Sequence, residues 1–545
     1  MMKKQTALLL ALILALSLTA CGAKTDAESP ASAADEISLA DPSLHSDYVT
    51  DDNARVFYEI FVGSFSDSDG DGVGDLRGII ERMDYLNDGD PDSGLSLGVE
   101  GLWLTPIFKS PSYHKYDVED FYAIDPQFGT MEDLQELIEL CHQRNVKLIL
   151  DLPINHTSSE NAWFKAFCRA RRAGDASDPY YNFYSHYTPG DGTSHAGREF
   201  ALVSGTKTYY ECNFSRDMPE LDYSVFEVNM AMLDVAYYYL DMGVDGFRFD
   251  AAKYIYFGDH SRSEGFWEWF IGKLRERKPD LYTVAEVWDG SQIVDIYARA
   301  TNCFDFAGSQ RDGAISLAAR RGNVNGYTRY VQEAVEKARA ANPDGMIIPF
   351  ITNHDMDRAS GFLTAASGEM QMAANLYILS SGSPFIYYGE EIGLRGSRGG
   401  ANTDANRRLA MRWGDGDTVA DPEGSTYANQ TETTAAEQRT DENSLYSHYK
   451  RLIMIRKANP EIARGDYTAL YFPDTRLGGF TAEWNGSEVC VLHNTTTGAL
   501  TVDLSAAGAE RFTDITAVIG AGGAVLENGV ITLDAQTSAV LRPAA

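Results

Sequence analysis

The sequence predicts an α/β fold, either a (β/α)8 barrel or an open parallel sheet, with one long insertion and a small antiparallel β domain at its end. Three observations carry this. Short apolar runs alternate with amphipathic stretches over about 400 residues. Polar residues recur at the ends of those runs, at intervals that count βα units. The texture then changes near residue 465.

The apolar runs are, in order, VFYEIFVGSF, GVEGLWLTPI, VKLILDLPINH, VDGFRFDA, LYTVAEVW, MIIPFITNHD and SPFIYYGEEIG. Several are continuous β-type runs, the pattern of strands covered on both faces. Between them, TMEDLQELIELCHQRN reads as a helix with Thr130 as its N-cap and Asp133 three residues on. SVFEVNMAMLDVAYYYLDMG reads as a second helix, stopped by Gly243. A barrel of eight units uses about 30 residues per unit. Asp250 to Glu286 is 36 residues, one unit, and Glu286 to Asp355 is 69, about two. His156 to Asp250 is 94, too long for one. About 60 residues are therefore inserted there. They include DPYYNFYSHYTPGDGTSHAG, which reads as irregular and surface-like. After about residue 465, FTAEWNGSEVCVLHNTTTG and AVLENGVITLDAQTSAVLRP are short alternating runs with turn residues, an antiparallel pattern.

The chain has 545 residues, with 46 Lys+Arg against 79 Asp+Glu, a formal charge of −33. That charge repels nucleic acid and anionic lipid surfaces and suits neutral or cationic ligands. The start, MMKKQTALLLALILALSLTACGAK, has a charged pair, Lys3 and Lys4, and an apolar stretch at residues 7–18 that is too short to span a membrane. It reads as a signal peptide. LTAC resembles the bacterial lipobox, which makes Cys21 the lipidated mature N-terminus; cleavage after Ala20 without lipid is the alternative. Residues 22–50 are rich in Ala, Ser, Asp and Glu and read as a tether. Cys141, Cys168, Cys212, Cys303 and Cys490 lie far apart without metal-finger spacing, and no essential disulfide is expected.

Asn155, His156, Arg248, Asp250, Glu286, His354 and Asp355 sit at the ends of predicted strands. In a barrel those ends converge on one face, where active sites lie. One such carboxylate is usually a cap or a salt bridge. Three carboxylates, two His and one Arg together point to chemistry, because burying them without a partner is costly. Two carboxylates flanking one bond are what glycoside cleavage requires. Arg248, two residues before Asp250, shares its strand face and would keep it ionised. Glu286 follows the apolar YTVA, where burial would raise its pKa as an acid catalyst needs.

DLPINH, GFRFDAAKY, EVWD and ITNHD resemble, in that order, four sequence regions of the α-amylase family, glycoside hydrolase family 13. MPELDY (218–223) resembles that family's domain-B motif, and HKYDVEDFYAIDPQFGT and SPFIYYGEEIG are also similar to it. The resemblance covers about residues 55–460 and the β tail. It implies a (β/α)8 TIM barrel over residues 51–156 and 223–463, with domain B inserted after strand 3 at 157–222. A C-terminal antiparallel β-sandwich follows at 464–545, and the signal peptide (1–20) and lipidated tether (21–50) precede the barrel. It further implies that Asp250 is the nucleophile, Glu286 the general acid/base and Asp355 the transition-state stabiliser. Arg248 positions the nucleophile. Tyr116, His156 and His354 contact the sugar at the cleaved bond, Asp117 lines the ring or the loop, and Lys253 reaches the next sugar. The implied reaction is retaining. The expected substrate is starch, glycogen or a maltooligosaccharide, the protein is expected to be a monomer, and the lipid is its only membrane contact.

Two positions depart from the pattern. Tyr254 stands where many family α-amylases have His, which weakens a calcium site that would include Asn155. Ala251 stands where α-1,6-specific members usually carry Val, although MPELDY resembles a group between α-amylases and oligo-1,6-glucosidases. Endo-cleavage of α-1,4 glucan is the favoured reading. α-1,6-Glucosidase, neopullulanase-like or glucanotransferase action is the alternative, and a non-catalytic sugar-binding lipoprotein or a calcium-dependent adhesin is a remote one.

DSDGDGVGD (67–75) raises a separate question. It matches an EF-hand loop at its first positions, but position 12 is Gly78, not Glu, and the preceding segment reads as a strand. A calcium sensor is thereby ruled out. Oligo-1,6-glucosidase-like members carry a similar calcium loop after the first barrel strand. By that resemblance Asp67, Asp69, Asp71, the Val73 carbonyl and Asp75 hold Ca2+. Four carboxylates this close repel one another without a cation; a plain solvated turn is the alternative.

Overall fold

A computed structural model describes residues 52–544, apart from 92 and 400–403. Seven parallel strands run in the order Asn302–Cys303, Tyr282–Ala285, Gly246–Phe249, Lys147–Leu152, Gly101–Leu104, Phe57–Ile60 and Phe385–Tyr387. Segment 347–350 closes the ring. Ile348 pairs in parallel with Phe304 on one side, and the Ser383 and Phe385 amides donate to the Ile347 and Pro349 carbonyls on the other. The result is the (β/α)8 barrel. Its strands are buried along their whole length because side chains fill the ring and helices cover it.

The barrel floor is aromatic. Phe57, Trp103, Ile149, Tyr282, Val284, Phe304, Ile348, Phe350 and Phe385 form one buried cluster. Phe57 lies 4.7 Å from Phe385, ring on ring, and 4.5 Å from Tyr282. Strands crowd here: a Cβ on Gly246 would lie 1.9 Å from the Tyr282 carbonyl oxygen. This plug leaves no pore, so polar chemistry is confined to the layer above it.

The expected caps are present. Thr130 and Asp133 form a reciprocal capping box on the helix Met131–Gln143, and Gly243 ends Phe226–Met242 at φ 107°. The insertion holds more order than its composition suggests. Asn161 caps a helix, Ala162–Ala173, that the reading of the sequence does not include; it stops at Gly174 in the left-handed conformation. Three short strands, His186–Tyr187, Phe200–Leu202 and Tyr209–Glu211, form a small antiparallel sheet. The insertion returns to the barrel through the pairing of His156 with Glu220.

The C-terminal domain is two antiparallel sheets, of five and three strands, around their own core of Leu470, Leu477, Leu492, Phe512, Ile531 and Leu541. Two hairpins turn on Asn-Gly. Asn485 and Gly486 have φ of 53° and 81°, and Asn528 and Gly529 have 50° and 78°. Both residues of each pair are left-handed, as the tight hairpin turn requires. The five cysteines named above are buried thiols.

Candidate active site

Neighbouring strands place the polar layer. Asp151 and Arg248 are register partners on the third and fourth barrel strands, and Ala285 pairs with Phe249, so Glu286 and Asp250 leave the sheet side by side. Ala251, at φ 49°, turns the chain sharply after Asp250. Its amide then donates to Glu286 Oε2 at 3.0 Å. A non-glycine residue in this conformation is uncommon and marks a turn held by its surroundings.

Arg248 is fully buried. Its Nη1 donates to Asp250 Oδ1 at 2.7 Å and to both oxygens of Asp151 at 2.9 and 3.0 Å. Its Nη2 lies 3.1 Å from Glu286 Oε2. The guanidinium also sits over the rings of Trp103 and Tyr116, 5.3 and 5.8 Å from their centres.

One cation cannot neutralise three carboxylates equally. Burial raises Glu286 against the pull of Arg248, and Asp250 and Asp355 add to the rise, bringing it to about 6. Burial likewise raises Asp151 against Arg248. Asp355 goes the other way. Burial alone would raise it, but His354 and Arg408 hold it well below the usual carboxylate range. Arg408 Nη2 donates to Asp355 Oδ1 at 2.8 Å, and His354 Nε2 lies 3.1 Å from Oδ2. The mouth therefore carries a carboxyl group raised by burial, Glu286, beside one held charged, Asp355, with Asp250 bonded to Arg248 between them.

The other expected residues fall as follows. Tyr116 stacks on the His354 ring, 5.4 Å between centres and 12° between planes. Its hydroxyl bridges Asp151 Oδ2 (2.8 Å) and His354 Nε2 (2.7 Å). His156 is buried, which lowers its imidazole to about 4, and Phe214 of the insertion lies 5.2 Å away. Asp117 accepts from the Ser110 and Ser112 hydroxyls and ties up its own loop. Lys253 is turned from the carboxylates: its Nζ donates to the Trp288 carbonyl (2.8 Å) and to Asp289 (2.9 Å). Trp288 and Phe214 are both close to half exposed.

Three residues of this layer are absent from the sequence reading: Glu59, Asp151 and Arg408. A charge inside the apolar VFYEIF was a usable signal for Glu59, as was Asp151 inside LILDLP. Arg408 lies in a turn after the last strand, where nothing local marks it.

The aspartate loop is a separate cluster. Oxygens of Asp67, Asp69 and Asp71 lie within 4.8 Å of one another. Asp67 accepts from the Gly70 and Gly72 amides and the Thr418 hydroxyl; burial would raise it, but these bonds hold it below the usual range. Asp75 is used differently, accepting from the Gly78 amide as the cap of the helix Leu76–Glu81. The loop is stitched to residues 417–420 through Ser66–Asp417 and the Ala420 amide to the Gly72 carbonyl.

A family model described as Alpha amylase, catalytic domain, matches residues 59–465. Alpha-amylase 3 of Dictyoglomus thermophilum is 35% identical over 447 residues, covering 81% of this chain and 84% of its own length. A 4-alpha-glucanotransferase of Thermotoga neapolitana is 29% identical, over 81% of this chain and 96% of its own. Among solved structures, Eubacterium rectale Amy13B superposes with a TM-score of 0.83 at 34% identity, over 92% of this chain and 98% of that one.

The shared counter-charge is testable. Arg248→Met leaves three buried carboxylates without it and should cost about 3–5 kcal/mol, read as a lower unfolding midpoint in urea. Adding Asp151→Leu removes the most buried of the three and should recover part of that loss.

Proposed function

The chain belongs to the α-amylase family, glycoside hydrolase family 13, and on that footing we propose that it is a retaining endo-hydrolase of α-1,4-glucans. The observation that carries the proposal is the geometry of the mouth: Arg248 joins Asp250 and Glu286, while Asp355 is held separately by His354 and Arg408. Asp250, held by the guanidinium, attacks the anomeric carbon. Glu286 gives its proton to the departing glycosidic oxygen, then takes one from the water that releases the sugar. Asp355 stays ionised opposite the positive charge that develops on the ring. Tyr116, His156 and His354 wall the cleaved sugar, and Lys253, bonded to Trp288 and Asp289 in the loop after Glu286, would reach the next sugar.

Glucanotransfer is the second reading, and the half-exposed Phe214 and Trp288 favour it. Both are apolar platforms beside the mouth, suited to seat a sugar acceptor in place of water. Digestion of maltoheptaose separates the readings. Products that are all shorter than the substrate support hydrolysis, and any product longer than it supports transfer. Panose or pullulan cleaved in preference to maltoheptaose, or no cleavage at all, would overturn the α-1,4 assignment.

Calcium is proposed for the aspartate loop. Three carboxylate oxygens this close, one of them held ionised, fit a hard cation that prefers oxygen ligands. Asp67, Asp69 and Asp71 would hold it, with the Val73 carbonyl and Asp75 behind them. The ion would brace the first βα loop against residues 415–420, away from the reacting bond. Cys21 and the tether lie outside the described residues; attachment to a membrane surface through a lipid on Cys21 remains part of the proposal.

Two outcomes follow. An acid catalyst must hold its proton, so kcat/KM on maltooligosaccharides should fall as pH rises through about 6, the value for Glu286. Glu286→Gln should lower kcat on starch by roughly 10²–10⁴-fold, yet leave the first step on α-maltosyl fluoride largely intact, because fluoride departs without a proton. For the loop, EDTA should lower the melting temperature and calcium should restore it. Asp69→Asn should remove the response, and a melting temperature indifferent to EDTA would favour a plain acidic turn.

A further inference from the structure

Glu59 is a carboxylate inside the barrel that the steps above leave unused. It lies on the first strand, Phe57–Ile60, where alternation turns Tyr58 and Ile60 outward and Phe57 and Glu59 inward. Phe57 belongs to the floor; Glu59 stands one layer nearer the mouth. It is 1% exposed. Among the described residues its only ion-pair partner is His354, whose Nδ1 is 2.5 Å from Glu59 Oε1.

Hydrogen-bond accounting points to the state of that imidazole. Nδ1 faces a carboxylate, which only accepts, so Nδ1 carries a proton. Nε2 faces Tyr116 Oη at 2.7 Å and Asp355 Oδ2 at 3.1 Å. The Tyr116 hydroxyl donates to Asp151 Oδ2 at 2.8 Å; burial raises this carboxyl, but Arg248 Nη1 donates to both of its oxygens and holds it as an acceptor. Asp355 has no proton to give. Neither neighbour can donate to Nε2, so it too carries one. Two N–H groups make a cation.

We propose that Glu59 is a positioning residue: its buried carboxylate keeps the His354 ring doubly protonated and fixed in rotation, and that ring aims Asp355 at the substrate. The proposal rests on the reading of Asp355 as the group that stabilises the transition state. It extends that reading to the first strand, separated from the segment that leads to His354 only by the strand Phe385–Tyr387, where a strand residue supplies the counter-charge that a buried imidazolium needs.

The groups that face His354 are consistent with a stable cation. They are Glu59 from the first strand, Asp355 beside it, the Tyr116 hydroxyl from the loop after the second strand, and Arg408, whose Nε donates to the His354 carbonyl at 3.1 Å. Arg248, Asp151 and Asp250 stand behind Tyr116. Tyr387 from the last strand lies near Glu59, and Trp103 presents its ring to the imidazole at 5.7 Å. Burial alone would lower His354, but Asp355 and Glu59 together raise it to about 10.

Glu59→Gln keeps the shape and the acceptor but removes the charge. The substrate for the test is α-maltosyl fluoride, whose first step does not need the Glu286 proton. Wild-type kcat/KM should stay level into the alkaline range. In Glu59→Gln the alkaline limb should move at least about one pH unit toward neutral, so that the variant is within about twofold of wild type near pH 5.5 and at least about threefold lower near pH 9.5. A loss of equal size at every pH, or no loss, overturns the proposal, since a purely structural role would not tilt the profile. A second measurement stands apart from catalysis and from the folding of the variant. In ¹⁵N-histidine-labelled wild-type protein, with His354 assigned by the spectrum of His354→Asn, both ring nitrogens should carry protons at about pH 7. A neutral, single-tautomer ring there overturns the proposal even if the enzyme proves active. Failure to cleave any α-glucan would instead remove the functional reading and leave the ring assignment standing.

Discussion

A guanidinium with no access to water has to be surrounded by its own counter-charge, and Arg248 is in that position. Its three carboxylates come from consecutive barrel strands or their ends, so the arrangement depends on strand register. Asp151 faces Arg248 directly across one ladder. A slip of one residue would turn Arg248 toward the helices, into the apolar layer that holds Phe247 and Phe249, and leave Asp151 and Glu286 facing each other without a cation. Correct closure of the barrel and correct charging of the mouth are therefore one requirement.

The aromatic floor makes the electrostatics effective. Phe57, Trp103, Tyr282, Phe304 and Phe385 exclude water from below, so each charge above them is felt strongly by its neighbours. One buried cation then serves three acids, and burial raises Asp151 and Glu286 against its pull. Asp355 escapes the competition because it has its own cations, His354 and Arg408. The proposed division of labour between a proton donor and charged partners needs no unusual residue, only this unequal supply of positive charge.

The mouth is also a junction of segments distant in the chain. The insertion contributes Phe214 against His156. The loop after the first strand is bonded to residues 417–420 beyond the last strand, and the turn that carries Arg408 precedes those residues. Stiffening the aspartate loop would thus be felt near the strand that carries Arg408's neighbours, although no carboxylate of that loop touches the reacting groups.

Much of this was readable in one dimension. The buried strands, the long interval between His156 and Asp250, the Thr130 cap, the antiparallel tail and the strand-end residues Asp250, Glu286 and Asp355 all follow from local patterns, because hydrophobic periodicity, caps and turns are local physics. The helix Ala162–Ala173 was missed because its apolar face is short and lies beside a Tyr- and Gly-rich stretch that reads as loop. What only the tertiary structure decided is who faces whom. Glu59 meets His354 across 295 residues, Arg408 reaches Asp355 from beyond the last strand, Asp117 is committed to its own serines, and Lys253 is tied to the Trp288 loop. Such pairings leave no trace in spacing. They arise when a closed ring of strands brings side chains from opposite walls into one dry layer, where every buried charge must find its partner.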